Sequence, residues 1–430
     1  MTFARQSASS LAALAFGIVA SVLLARVLGA EGRGEYALAV KVAGLVLAIA
    51  QWGVPEVVLQ LLAERRAPVG TLIGTALPLG VAGAVVVAAV LALAFPLLSD
   101  NLLRGVDPLL LVLALVGSVA SLVSLITRRF IQLGGRVHLY NALDVGRTLL
   151  FLALVVVASI GLPQQALGAT LAWLTAELSL AVVSTSLLRR RQQASWRASR
   201  ALAGELVAAG APIQISLIAM FLGSEGGAYI LNARLDLAAV GVYTVALSVA
   251  RLVLQISVAL RTVLQPRLVG AEVDAADMTA RVTRHGLLWM VLLALSIGAG
   301  APLLPLVFSR EFAASAPVLV LLLPGMVAYG VWQLLASHLL RIGRRGILAG
   351  IAWAFAAVAV LLQTLGVETL GLAGAAAGLS LAYLLGAGLV ALAFVRLSGR
   401  ALRDLLPGPA EVAFYVDLVR AGARSRGYVA

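Results

Sequence analysis

Ala25-Arg26-Val27-Leu28 and, five residues on, Gly34-Glu35-Tyr36-Ala37-Leu38-Ala39 enclose a short charged turn between two long apolar runs, 9–28 and 36–62. Each run reaches the roughly 20 residues needed to cross about 30 Å of hydrocarbon as a helix. The turn carries Arg26, Glu31, Arg33 and Glu35, charges that belong at a membrane surface. The stretch therefore reads as a transmembrane hairpin. Working outward, the same pattern predicts helices over 71–95, 109–127, 139–160, 166–188, 205–231, 239–260, 286–308, 316–337, 346–366 and 370–395. The chain is expected to be an all-α polytopic membrane protein of about twelve transmembrane helices.

Composition agrees. Of 430 residues, 62% are hydrophobic and 12% charged, and the mean hydropathy is +1.04. Soluble domains lie nearer half apolar and about a quarter charged. The first apolar run is long for a signal-peptide core and lacks a small-residue cleavage site, so it reads as an uncleaved first helix. The net charge of +13 does not imply nucleic acid, because the cations sit in short loops of one side. Termini and even-to-odd connections hold 24 basic residues. Odd-to-even connections hold five, and Lys41, Arg147 and Arg251 fall inside spans. By the positive-inside rule both termini are expected in the cytoplasm. The tail after Arg396 is polar enough to leave the bilayer. Its segment 411–419 reads as a surface helix or as an unstructured basic tail.

The turn recurs. Ala233-Arg234-Leu235-Asp236 followed by Gly241-Val242-Tyr243-Thr244-Val245-Ala246 matches the opening stretch at an offset of about 207 residues, and Pro55 and Pro266 follow the two tyrosines. Two parallel six-helix halves are a transporter architecture. The expected organisation is an N-terminal lobe with its linker over 1–200, a C-terminal lobe over 201–395, and a tail over 396–430.

Leu24-Ala25-Arg26-Val27-Leu28-Gly29, the acidic turn, Gly34-Glu35-Tyr36 and the alanine-rich helix after it resemble the opening of polysaccharide (O-antigen-type) flippases. Gly53 and the Gly241-x-Tyr243-x-x-Ala246 turn followed by Pro266-Arg267-Leu268 fit as well. These proteins belong to the multidrug/oligosaccharidyl-lipid/polysaccharide exporter superfamily. The resemblance implies two six-helix lobes around a central cavity. It also implies a polyprenyl-diphosphate-linked glycan as substrate, moved from the cytoplasmic to the outer leaflet, and a place beside other polysaccharide-assembly proteins.

Such a protein makes no bonds but must shield a diphosphate, for which guanidinium is well suited. Ionisable residues within the membrane are costly and therefore mark candidate sites. Glu177 lies midway along 166–188 and Arg251 midway along 239–260. Arg251 is the expected diphosphate contact and Glu177 the expected ion-coupling acid; a fixed Glu177–Arg251 salt bridge is the structural alternative. Asp144 and Arg147 share a helix face. Arg147 either lines the cavity or neutralises Asp144, itself a coupling candidate. Lys41 serves as a cavity cation or snorkels to water. Glu56, beside Pro55, is a candidate ion ligand or a surface carboxylate. Glu225 sits in Gly223-Ser224-Glu225-Gly226-Gly227, where glycines weaken a helix; a broken helix at an ion site and close helix packing are both open. Arg26, Arg33, Arg234 and Asp236 read as turn-fixing groups.

The sequence has no cysteine, no phosphate-binding glycine loop, and three histidines placed at helix ends. No catalytic residue, metal site or cofactor is expected, and the energy is to come from an ion gradient such as H⁺ or Na⁺, the membrane potential, or consumption of product outside. A cation-coupled drug antiporter of the same superfamily is the alternative, and a membrane glycan polymerase or ligase a further one. The latter would need a sizeable outer loop, and the longest here spans only about 96–108.

Overall fold

The computed structural model describes residues 2–63, 67–161, 164–191, 196–269, 274–409, 411 and 415. All regular structure among them is helical. With no water in a bilayer core, a spanning chain must satisfy its own backbone groups, and helices do so within one segment.

The elements are α1 (Thr2–Ala50), α2 (Val54–Ala63), α3 (Val69–Ser99), α4 (Pro108–Leu133), α5 (Val137–Gly161), α6 (Gln165–Arg191), α7 (Arg200–Arg234), α8 (Leu237–Ala250), α9 (Leu254–Val269), α10 (Ala275–Gly300), α11 (Leu304–Val307), α12 (Ser315–Arg341) and α13 (Arg345–Ser398). Two of these bend back on themselves at a single residue. Gly29 (φ 66°) turns the corner in α1 and Gly371 (φ 59°) the corner in α13, a region of backbone space costly for any residue with a Cβ. Around the second corner Gly366 and Gly374 meet backbone to backbone, which shows the arms running antiparallel. Counting each arm, the second arm of α1 with α2, α8 with α9, and α10 with α11, the described residues form twelve helical passes.

Three predicted spans carry breaks that hydropathy does not reveal. The expected helix 36–62 stops at 51–53, where Trp52 (φ 51°) and Gly53 (φ 60°) are both left-handed, and α2 restarts before Pro55. The expected helix 239–260 tightens into a 3₁₀ turn at Arg251–Val253, and a similar turn at Ala301–Leu303 separates α10 from α11. Short 3₁₀ stretches inside helices often mark hinges.

Both arms of α1 pack with α3 to α6 in one lobe, and α7 to α13 in the other. Their cores are built largely from small and branched apolar side chains, among them Leu24, Ala39, Ala114 and Ala176 in the first lobe and Val245, Leu322, Leu379 and Val390 in the second. Leu93, Leu97 and Ile160 are about four-fifths exposed, as residues facing lipid should be. Hydroxyls buried in the helices return to their own chain: Thr127 bonds the Val123 carbonyl (2.8 Å) and also reaches Ser184 (2.7 Å), joining α4 to α6.

One end of the molecule carries the turns at 29–36, 99–107, 235–237 and 308–314, poor in arginine. The other carries the arginine-rich connections. Between the lobes, α1 and α8 cross at the arginine-poor end through Gly34 and Gly241, where an added Cβ on either would run into the partner's backbone. At that end Arg26 donates to the carbonyls of Leu306 (2.7 Å) and Val307 (2.8 Å), Ala30 N–H donates to Glu311 (2.8 Å), and Asn232 donates to Leu102 and Arg104 carbonyls (3.2 and 3.0 Å). Arg234 pairs with Glu368 at 2.9 Å, and Asp236 caps α8 through Ala239 N–H. The second arm of α1 and α2 then run antiparallel to α7, through Lys41–Glu225, Gly44–Phe221, Ala48–Gln214 and Gly53–Gly210. Small residues let the helices approach closely.

Beyond α13, a 3₁₀ turn at Leu402–Leu405 packs against α10. Arg400 pairs with Asp274 and lies 3.3 Å from Asp277. Most of 411–419 lies outside the described residues. Glu411 itself reaches Arg284 (3.2 Å), and Tyr415 stands edge-on to Trp289 at 5.2 Å.

Candidate functional site

The intramembrane charges form two separate networks. In the seam between the lobes, Glu225 of α7 accepts from Lys41 of α1 through Oε2 and from Arg251, at the end of α8, through Oε1. Lys41 and Glu225 are nearly covered, with side-chain exposures of 13% and 14%, whereas Arg251 is 40% exposed. The trio therefore holds one cation in excess, and Arg251 is its accessible member. The 3₁₀ turn begins at Arg251 itself, so the irregular backbone and the charge coincide.

The second network lies wholly in the first lobe. Glu177 of α6 accepts from Arg147 of α5 at 3.1 Å; Arg147 is 3.9 Å from Asp144, and Asp144 accepts from Arg128 of α4 at 2.6 Å. Arg128 also lies over the Tyr140 ring at 5.1 Å. These charges alternate in sign across three helices, so each carboxylate has a guanidinium against it.

This arrangement bears on three readings that the sequence left open. Glu177 and Arg251 do not pair, because each finds its counter-ion nearer at hand, on α5 and α7 respectively. Lys41 does not snorkel outward; it turns along the seam to Glu225. The glycines flanking Glu225 do not break α7, which runs unbroken from Arg200 to Arg234. They serve close packing instead: a Cβ on Gly223 would overlap the ring of Phe355, and one on Gly227 would overlap Gln363. Glu56 has its backbone in α2, but its side chain lies outside the described residues. Among the described residues no three His, Asp or Glu side chains converge as a metal site would require.

One cation escapes a hydropathy reading. Arg261 lies on α9, just past the predicted end of its span, and lines a cavity of about 190 Å³ with Ser216, Tyr329, Gln333 and Arg345. Its Nη1 is 3.4 Å from the Gln333 Oε1, which Ser257 also approaches (3.3 Å), while its Nε is buried without a hydrogen-bond partner. The only signal in the sequence was its spacing from Arg251, ten residues or about 15 Å along a helix.

The described residues thus form a two-lobed helical bundle with charges held in its seam. The family profile described as polysaccharide biosynthesis protein matches residues 6–271, more than half of the chain. The chain belongs to the polysaccharide biosynthesis protein family. Solved structures give the fold. The lipid II flippase MurJ, in an inward closed conformation, superposes on this polysaccharide biosynthesis protein with a TM-score of 0.72 at 11% identity, over 93% of this chain and 88% of that one. The MATE multidrug transporter DinF-BH gives 0.65 at 18%, over 90% and 92%. A mutant of the Vibrio cholerae MATE transporter VcmN gives 0.61 at 19%, over 92% and 95%. The polysaccharide biosynthesis protein thus shares the fold of these solved proteins, and its long apolar helices make it a multi-pass membrane protein. A search among curated proteins found no significant match.

Proposed function

We propose that this protein is a flippase that moves a polyprenyl-diphosphate-linked oligosaccharide from the cytoplasmic to the outer leaflet of a bacterial inner membrane. The product would feed cell-surface polysaccharide synthesis alongside other assembly proteins. The observation that carries the reading, within this family, is the excess of guanidinium groups on the inner side of the second lobe. Arg261 and Arg251 belong to successive helical segments of one span, the first beside Gln333 and Arg345 in a largely apolar cavity and the second accessible in the seam. A diphosphate needs cations that can bind two oxygens at once, and each arginine offers that. The Lys41–Glu225 pair holds the adjoining seam, and Arg147 belongs to the first lobe's network.

In this reading the arginine-rich end faces the cytoplasm, as the charge bias of the connections requires. The acids are already paired, so H⁺ or Na⁺ coupling would act by competing with a guanidinium for a carboxylate. Glu225 and Glu177 are the acids so placed, with Asp144 behind Glu177.

The test is translocation in proteoliposomes. A labelled polyprenyl-diphosphate oligosaccharide is placed in one leaflet and its arrival in the other is read by glycosidase access. Wild type should flip it, and Arg251→Ala and Arg261→Ala should slow flipping at least tenfold with the fold intact. Flipping untouched by both substitutions would discard the arginines as the diphosphate site. Absence of flipping, with cation-coupled export of small amphiphiles, would replace the reading with that of a drug antiporter.

A further inference from the structure

Behind the seam, on the side away from the Lys41–Glu225 contact, lies a crevice of about 380 Å³ lined almost wholly by hydrocarbon. Its walls come from both lobes: Leu91 and Phe95 of α3, Leu111 of α4, and Phe221, Gly226 and Tyr229 of α7. The volume falls in the range of roughly 300–1,000 Å³ usual for small-molecule sites. Exposed apolar side chains, Val112 and Leu222, stand on its wall. Two features set it apart from an ordinary packing defect. Gly226 leaves its floor bare: a Cβ there would meet only Val360, at 3.8 Å. The Tyr229 hydroxyl is buried without a hydrogen-bond partner, an arrangement that costs free energy unless something supplies an acceptor.

The crevice adjoins the charged seam through the helices they share. Val42 on its wall follows Lys41, and Gly226 follows Glu225. A molecule with a long hydrocarbon chain and an anionic end could therefore lay the chain against α3, α4 and α7. Its oxygens would then lie toward Tyr229 and the cationic excess of the seam. Resting on the flippase reading above, we propose that this crevice holds the isoprenoid chain of the lipid-linked substrate. The chain would stay in this apolar wall while the diphosphate engages the cations between the lobes. The Lys41–Glu225 contact then lies between chain and head group, and it must part for the molecule to move as one.

The experiment uses the full chain in proteoliposomes with two photoreactive probes, a diazirine-bearing polyprenyl diphosphate and a phospholipid with a diazirine in its acyl chain. Adducts are mapped by peptide mass spectrometry in wild type and in Gly226→Leu and Ala92→Trp, which fill the crevice from opposite walls. Ala92 is exposed there and leucine favours helix more than glycine, and each variant's thermal midpoint is checked against wild type. The proposal expects the polyprenyl probe to label 91–98, 111–115 or 221–230. Unlabelled polyprenyl-linked glycan should compete with it, and both variants should reduce labelling at least fivefold. Equal labelling by the phospholipid without competition would overturn it, making the crevice a general acyl site. Polyprenyl labelling confined to other surfaces, with flipping retained, would overturn it and leave the flippase reading standing. No labelling and no flipping would overturn both.

Discussion

Lys41 and Arg251, from different lobes and 210 residues apart, hold opposite oxygens of one carboxylate, that of Glu225. The sharing makes the three positions unequal. Removing Glu225 leaves two cations facing each other in the seam, whereas removing Lys41 leaves the Arg251–Glu225 pair whole.

Glu225→Gln should accordingly be the most damaging substitution of the trio. Stripping a buried pair of one partner costs about 3–5 kcal/mol, and here two partners are stranded. Lys41→Met should cost clearly less. Thermal unfolding midpoints in detergent decide the order, and a Lys41→Met protein less stable than Glu225→Gln would refute the shared-carboxylate arrangement.

In the first lobe, Arg147 lies against both Glu177 and Asp144 and is 28% exposed on its side chain. Its loss should fall between the roughly 1 kcal/mol of a surface pair and the about 3–5 kcal/mol of a buried one. Asp144 keeps Arg128 at 2.6 Å, so the burden of Arg147→Ala falls on Glu177. The double variant Arg147→Ala, Glu177→Gln should recover part of the stability lost in Arg147→Ala, and the double-mutant cycle over these substitutions measures the coupling.

Substituting either glycine of the α1–α8 crossing tests the contact between lobes. Gly34→Val or Gly241→Val would push a side chain into the partner's backbone, and overpacking typically costs about 1–3 kcal/mol. Because the clash lies between lobes, the substitution should also raise access of a thiol reagent to an introduced Cys at Tyr243. Unchanged access and stability would show that the crossing is looser than the structure has it.

At the arginine-rich end the hydrogen bond from Arg400 holds the Asp274 carboxyl below its ordinary value of 3.8, with the Asp277 and Ala276 N–H groups assisting. A depressed carboxylate favours the folded arrangement fully above its unfolded pKa. That contribution disappears as pH falls through the lower folded value. The turn at Leu402–Leu405 should therefore keep its hydrogen-exchange protection from pH 7 to about 4 and lose it below the ordinary value, and Asp274→Asn should lose it at every pH. Protection in the variant equal to wild type would sink the assignment.

The helical bundle was legible because apolar runs of membrane length leave few alternatives, and the repeat around Tyr36 and Tyr243 announced two halves. The corner at Gly29 fell within the turn that the charges of 26–35 marked. The breaks at Trp52–Gly53 and at Arg251–Val253 were not legible, since neither changes the hydropathy of its run. The ionisable positions were also visible, because a charge inside an apolar run stands out. Their partners were not. Which of Glu177 and Glu225 faces Arg251 depends on the rotation of α6 and α7 about their axes. The glycine–aromatic contact of Gly223 with Phe355, which contributes to that rotation, spans 132 residues of sequence. Arg261 was hidden for the opposite reason: at the end of an apolar run, arginine looks like an ordinary surface anchor.

The meeting of Gly34 with Gly241 has a consequence for how the two halves can diverge. Equivalent positions of the repeat touch there, so a mutation in one half is felt at once by its counterpart. If the halves arose by duplication, an enlarging change at one of these sites could persist only with a compensating change in the backbone opposite. Elsewhere, as at Lys41 and its counterpart Ser248, the halves carry different side chains. At the crossing they remain bound to the same smallest residue, and that pair should vary together or not at all among proteins descended from this one.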